Sequence, residues 1–288
     1  MTSLSVTIKA SSDDPILAPV GLVTPLRAVT GLSVSGGRIA TILTEAELAL
    51  SAALITPQAD TVTLRYSVND HPAAGAYPEA AFAPRDNAHT RAASDLAEAS
   101  RDIAARSGGG RAGIEALVAE AEARFEYAHP KARFTDGQDA VPYLSCGLTE
   151  GSCVDINTYL VASLRAAGYE AAYFYGYFFP EERGGMTDDG HCWVATRHAG
   201  EVLEWDIAHH IKAGLGPTRP ALNPRPGERV AVSHSMGHRY QFAGRTIDLK
   251  ILGEPMRLPP DGPPAYVTLE AWLQGASAPA MTTPEEVA

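Results

Sequence analysis

Between residues 61 and 68 apolar and polar side chains alternate, Thr61-Val62-Thr63-Leu64-Arg65-Tyr66-Ser67-Val68, with positions 62, 64, 66 and 68 sharing one side. That is the period of a half-buried antiparallel strand. Shorter β-rich pieces precede it at Leu4 to Ile8, Leu32 to Val34 and Arg38 to Leu43, separated by turn residues. Together they predict a small β-sandwich domain over residues 1–80. A Pro/Gly/Asn-rich link from His71 to Asn87 follows, and beyond it the period changes. Ala88 to Arg106 reads as a helix ended by Gly108-Gly109-Gly110, and Ile114, Leu117, Val118, Ala121 and Phe125 mark one face of a second helix, closed by Pro130. Val154, Ile156, Leu160, Val161, Leu164 and Ala167 mark a third, with Gly168 as its stop.

After the third helix the unbroken run Ala171-Ala172-Tyr173-Phe174-Tyr175-Gly176-Tyr177-Phe178-Phe179 suits a strand buried on both faces. A polar loop, Pro180 to Gly190, leads to a predicted hairpin of Cys192 to Thr196 and Val202 to Ile207 around residues 198–201. A proline-dense stretch from Gly214 to Glu228, short strand-like pieces from Arg229 to Trp272 and a frayed end from Pro279 to Ala288 complete the chain. The expected class is α+β, with the sandwich followed by a domain over 81–288 in which helices pack on an antiparallel sheet.

The chain has 288 residues, 45% of them hydrophobic, enough for a buried core without disulfides. Its net charge of −11 argues against a nucleic-acid or anionic-membrane partner. The N-terminus lacks the apolar core of a signal peptide, and no run approaches the roughly 18 apolar residues of a membrane span. Three cysteines, Cys146, Cys153 and Cys192, are an odd number without the spacing of a disulfide scaffold, so a reducing cytoplasm is the expected compartment.

Cys153 opens the third helix, behind Gly151-Ser152. A thiol attacks as thiolate, and unpaired N–H groups in a first helical turn favour negative charge there. An imidazole can serve as base, and His191 in Gly190-His191-Cys192-Trp193 is placed for it; Glu204-Trp205-Asp206 then offers a carboxylate. If residues 198 and 201 pair across the hairpin, Trp193 lies opposite Asp206 and His191 is diagonal to it, about 7–8 Å away between Cβ atoms. A one-residue slip would separate them on opposite faces. The roles that follow are nucleophile for Cys153, general base and acid for His191 and orienter for Asp206. The backbone N–H of Cys153 is the expected oxyanion donor, with Tyr143 and Gln138 as candidates for the second.

Cys146 reads as an ordinary loop thiol, and Cys192, alternating with His191, should point into core on the other face. Zinc on Cys146, Cys153, His191 and Cys192 is disfavoured, because there is no C-x2-C pair and neighbours on a strand cannot share one metal. No metal ligand set is therefore assigned. Trp193, Trp205 and His209 are candidates for the walls of a substrate groove.

The Gly-x-Cys opening a helix that ends Leu-Arg-Ala-Ala-Gly-Tyr, the following strand and loop, then His-Cys-Trp-Val and Trp-Asp, resemble the transglutaminase-like superfamily of papain-related thiol enzymes over about residues 110–210. The β-rich N-terminus resembles bacterial members with a preceding β-domain. The resemblance puts the family's nucleophile, histidine and aspartate on Cys153, His191 and Asp206. It implies acyl transfer from an amide or ester carbonyl through a thioester, with no cofactor and a peptide, protein or small amide as substrate. A peptidase or amidase is the leading expectation; an amine acyltransferase and a non-catalytic binding module are the alternatives. Ile207-Ala208-His209-His210 departs from relatives that carry proline or threonine behind the aspartate, so their substrates do not transfer.

Overall fold

The computed structural model describes residues 2–10, 14–83, 85–221 and 224–275; the expected fraying from Pro279 to Ala288 lies outside them. Strands β1 (Thr2–Lys9), β2 (Ile16–Pro19), β3 (Arg27–Ser35), β4 (Gly37–Glu45), β5 (Leu50–Pro57) and β6 (Thr61–Asp70) come first. A short turn of helix α1 (Glu79–Phe82), helices α2 (Ser94–Arg106) and α3 (Gly110–Ala123), and short strands β7 (Phe125–Tyr127) and β8 (Thr149–Gly151) lead to helix α4 (Cys153–Ala166). Then follow β9 (Glu170–Pro180), β10 (Met186–Thr187), β11 (Gly190–His198), β12 (Glu201–Trp205), helix α5 (Ile207–Ala213) and β13 (Gly227–His234). The chain continues through β14 (His238–Phe242), β15 (Arg245–Leu249), β16 (Met256–Arg257), β17 (Ala265–Tyr266) and β18 (Leu269–Gln274).

The alternation at 61–68 is used as predicted, with Val62, Leu64, Tyr66 and Val68 buried on one face of β6. The sandwich nevertheless does not end near residue 80. Its two five-stranded sheets have the orders β10-β18-β1-β6-β3 and β17-β16-β2-β5-β4, so strands from the far end of the chain complete both. The reason is visible in β18, where Leu269, Ala271 and Leu273 alternate inward and continue the apolar face of β1 and β6. That face closes a core shared with β2 and β5 and with Tyr177, Phe179, Val230 and Val232 from the neighbouring sheet.

The neighbouring sheet is antiparallel, in the order β12-β11-β9-β13. One face, with Tyr173, Tyr175, Cys192 and Val194, packs on α4 and its companion helices. The other, with Phe174, Trp193 and Ala231, packs on Leu22, Leu48, Leu50 and the link residues Tyr77 and Phe82. The link is thus docked against the sheet rather than trailing between two bodies. The molecule is α+β, with helices on an antiparallel sheet beside a β-sandwich; no helix among the described residues is long and apolar enough to cross a membrane.

Candidate active site

Helix α4 begins at Cys153 because Ser152, extended at ψ 176°, caps it and Asp155 reaches back. The Asp155 carboxylate accepts hydrogen bonds from Ser152 N–H (2.9 Å) and Ser152 Oγ (2.7 Å), a capping box with aspartate at the third position. Arg133 donates to both carboxylate oxygens at 2.9 Å, so the buried charge of Asp155 is balanced. Cys153 N–H lies first in the helix, where no carbonyl four residues back can take it.

The hairpin forms in the predicted register, with His198 opposite Glu201 and Val194 opposite Trp205. The second strand stops there, two residues earlier than expected. Asp206 leaves the extended backbone and caps α5, its Oδ1 accepting from His209 N–H at 3.0 Å. Residues 190–193 of β11 consequently pair with β9 but have no strand on their other side. At this edge His191 Nε2 donates to Asp206 Oδ2 at 2.8 Å, both groups buried. The Cys153 thiol lies within interaction reach of the His191 ring, and since Nε2 faces the carboxylate, Nδ1 is the ring nitrogen left without a carboxylate partner. Cys153, His191 and Asp206 are thereby brought together.

Two further groups complete the site. The ring of His209 stacks on that of His191, centroids 3.8 Å apart and planes 6° from parallel. Arg229 on β13 donates to Asp206 Oδ2 and, at 3.1 Å, to His209 Nδ1. The proximity of His209 Nδ1 to Asp206 is therefore not an ion pair, because that nitrogen already accepts from Arg229. His191, Asp206 and His209 have ligand atoms within 4.8 Å of one another, as a metal set would, but the guanidinium occupies the cation position among them. Burial lowers Arg229 to about 9, which leaves it charged at neutral pH.

Electrostatics favour a neutral resting pair. A hydrogen bond with Cys192 and then burial push the Cys153 thiol well above its usual range, and the His191 contact opposes them only in part. Burial lowers His191, and the Arg229 charge adds to it. The expected effect of the helix start on the thiol is thus outweighed by desolvation and by the second thiol. Burial, aided by Asp189, raises Glu254 to about 7; its carboxyl accepts from Tyr175 OH at 3.1 Å and from Gly190 N–H, beside His191.

The other sequence candidates sit elsewhere. Trp205 is core on the helical side and donates Nε1–H to Thr196 Oγ1 at 2.9 Å; Trp193 lies on the opposite side, stacked on Phe174. Neither walls a groove, because strand alternation turns both indoles into packed layers. His209 is buried behind His191 and not on a substrate face. Gln138 is exposed on a turn whose backbone it closes with Thr135, and the Tyr143 hydroxyl accepts from Arg124 at 3.1 Å. Neither is held by the first turn of α4. Cys146 is exposed, far from a shared ligand set. Tyr127 and the exposed Tyr266 stand within electrostatic reach of Cys153 and flank its approach. Arg229, Glu254 and Tyr266 were not singled out from sequence; a lone arginine in the buried run Arg229-Val230-Ala231-Val232 was the one available signal.

Residues 97–205 match the transglutaminase-like superfamily, a span that holds Cys153 and His191 and stops one residue before Asp206. That stretch of the chain is similar to the superfamily's shared core. The matched region holds helices α3 and α4, Cys153 and His191, while Asp206, Arg229 and Glu254 lie beyond it. No curated protein matches the chain in sequence. Among solved structures, a protein from Cytophaga hutchinsonii described as a candidate cysteine protease is 14% identical, with 95% of this chain and 97% of that chain covered at a TM-score of 0.52. The two proteins therefore share a fold along nearly their whole lengths. The periplasmic domain of TgpA from Pseudomonas aeruginosa aligns at 14% identity over 73% of this chain and 77% of its own, with a TM-score of 0.35.

Proposed function

We propose that this protein is a thiol hydrolase that cleaves an amide or ester carbonyl through a thioester on Cys153. What carries the reading is the His191–Asp206 hydrogen bond beside a cysteine that opens a helix within interaction reach of the imidazole. As Sγ bonds to the carbonyl carbon, His191 Nδ1 takes the thiol proton, and Asp206 holds the Nε2–H and steadies the imidazolium. The carbonyl oxygen gains negative charge against Cys153 N–H. Return of the proton from Nδ1 to the leaving nitrogen or oxygen breaks its bond and leaves the thioester. Water, deprotonated by the same imidazole, then adds to the thioester and expels the Cys153 sulfur. A peptide, protein or small amide is the proposed substrate. Three unpaired thiols suit a reducing compartment, the cytoplasm in the first instance.

The test is alkylation followed by acylation. Iodoacetamide near neutral pH is expected to label Cys153 at a rate that depends on His191 and falls in His191→Ala. An activated aryl ester is expected to leave an acyl mass on Cys153 that decays to free acid. Decay only on addition of a primary amine would instead identify an acyltransferase. Labelling of Cys153 no faster than a free thiol, with no acyl mass, would leave a binding module.

A further inference from the structure

The acyl chemistry uses one thiol, yet two meet at the first turn of α4. Cys192 leaves β11 on the face that packs against α4 and is fully buried in the same cluster as Cys153. Asn157, one turn after Cys153, donates from Nδ2 to the Cys192 carbonyl at 2.9 Å and to Cys192 Sγ at 3.4 Å, which fixes that sulfur beneath the helix start. The two thiols lie within interaction reach of each other in that cluster. His191 and Cys192 project from opposite faces of β11, and both reach Cys153 because residues 190–193 form an edge. Cys153 retains 6% exposure against none for Cys192, so Cys153 is the nearer of the two to solvent.

We propose that Cys153 and Cys192 form a reversible oxidation site for peroxides. The Cys153 sulfur attacks one peroxide oxygen, the O–O bond breaks, and Cys153 becomes a sulfenic acid as water or an alcohol departs with the thiol proton. The Cys192 sulfur then attacks the Cys153 sulfur, the S–S bond forms and the S–O bond breaks, and hydroxide leaves with the Cys192 proton as water. Two thiols thus lose two electrons and two protons, and hydrogen peroxide becomes two waters. The Asn157 amide is placed to hold Cys192 as the attacking thiolate. Side chains that share one cluster at the helix start must approach to the S–S length of about 2.05 Å. The product masks the nucleophile and keeps it from oxidation beyond recovery.

The inference requires a reachable Cys153 but not hydrolysis, so its readout is covalent mass and not turnover. In a Cys146→Ser background the folded protein is treated with hydrogen peroxide, alkylated after unfolding and digested with trypsin without reduction. Peptides 134–165 and 184–197 are expected joined, with loss of two hydrogens, and dithiothreitol should release both and restore labelling of Cys153. In Cys192→Ala the same treatment should yield sulfinic or sulfonic acid on Cys153 that dithiothreitol does not reverse. Cys153 carrying those acids while Cys192 remains fully alkylatable would overturn the proposal. That outcome is read in the Cys146→Ser protein alone, whether or not Cys192→Ala folds.

Discussion

Asp206 accepts from the His191 ring, from His209 N–H and from Arg229, and this sharing decides how the base behaves. A carboxylate facing imidazole alone would favour an imidazolium; one already balanced by a guanidinium does so less. Replacing Arg229 with methionine should therefore raise the proton affinity of His191, and the pH profile of Cys153 alkylation should move toward lower pH. Because the same change leaves a buried carboxylate without its counter-charge, it should also cost about 3–5 kcal/mol in urea denaturation. An unmoved profile in folded protein would refute the electrostatic account. Asp206→Asn tests the other end of the chain, and by the precedent of serine triads turnover should drop on the order of 10⁴-fold. Glu254 adds a pH dependence of its own. Its folded value of about 7 stands above the ordinary 4.5, so the folded protein binds that proton more tightly. The stability it gives is complete below about pH 4.5 and is lost as pH rises through 7, a change of about 3 kcal/mol. Glu254→Gln, which can still accept from Tyr175, should flatten that decline; equal decline in both proteins would show that another group governs it.

At the scale of elements, the precision of the site comes from where helices and strands stop. Helix α4 is held at Cys153 by Asp155, and Asp155→Ala should cost about 1–2 kcal/mol for the cap and slow His191-dependent alkylation. Ser152→Ala, which keeps the carboxylate, should do less; equal alkylation in all three proteins would separate the cap from reactivity. These boundaries were unevenly legible. The register of the hairpin followed from its two-residue connection and turned out as drawn, and Cys153, His191 and Asp206 were all named from local pattern and family resemblance. The end of β12 was misread, although Asp206 followed by Ile207-Ala208-His209 is a capping sequence. The indoles of Trp193 and Trp205 suggested groove walls by size, but their two faces are both packed layers. Arg229 and Glu254 could not be placed from local pattern, because they reach the site through β13 and a distant loop.

At the scale of the molecule, the β-sandwich and the catalytic sheet share one core, and β18 ties them by pairing with both β1 and β10. A fragment limited to residues 97–205 would lack Asp206, Arg229, Glu254 and the sandwich that covers Tyr177 and Phe179. Such a fragment should be insoluble or without a cooperative transition by circular dichroism, whereas residues 1–275 should fold; a soluble, cooperatively melting fragment would contradict this. The pairing of Ser3 with Gln274 also has a meaning in time. During synthesis β1 emerges at the start but gains its second neighbour only when nearly all of the described chain has left the ribosome. For that interval one of its edges stays open to foreign strands. Full assembly of the sheet thus waits on β18, and a chain terminated before it carries an open seam that quality-control machinery can recognise.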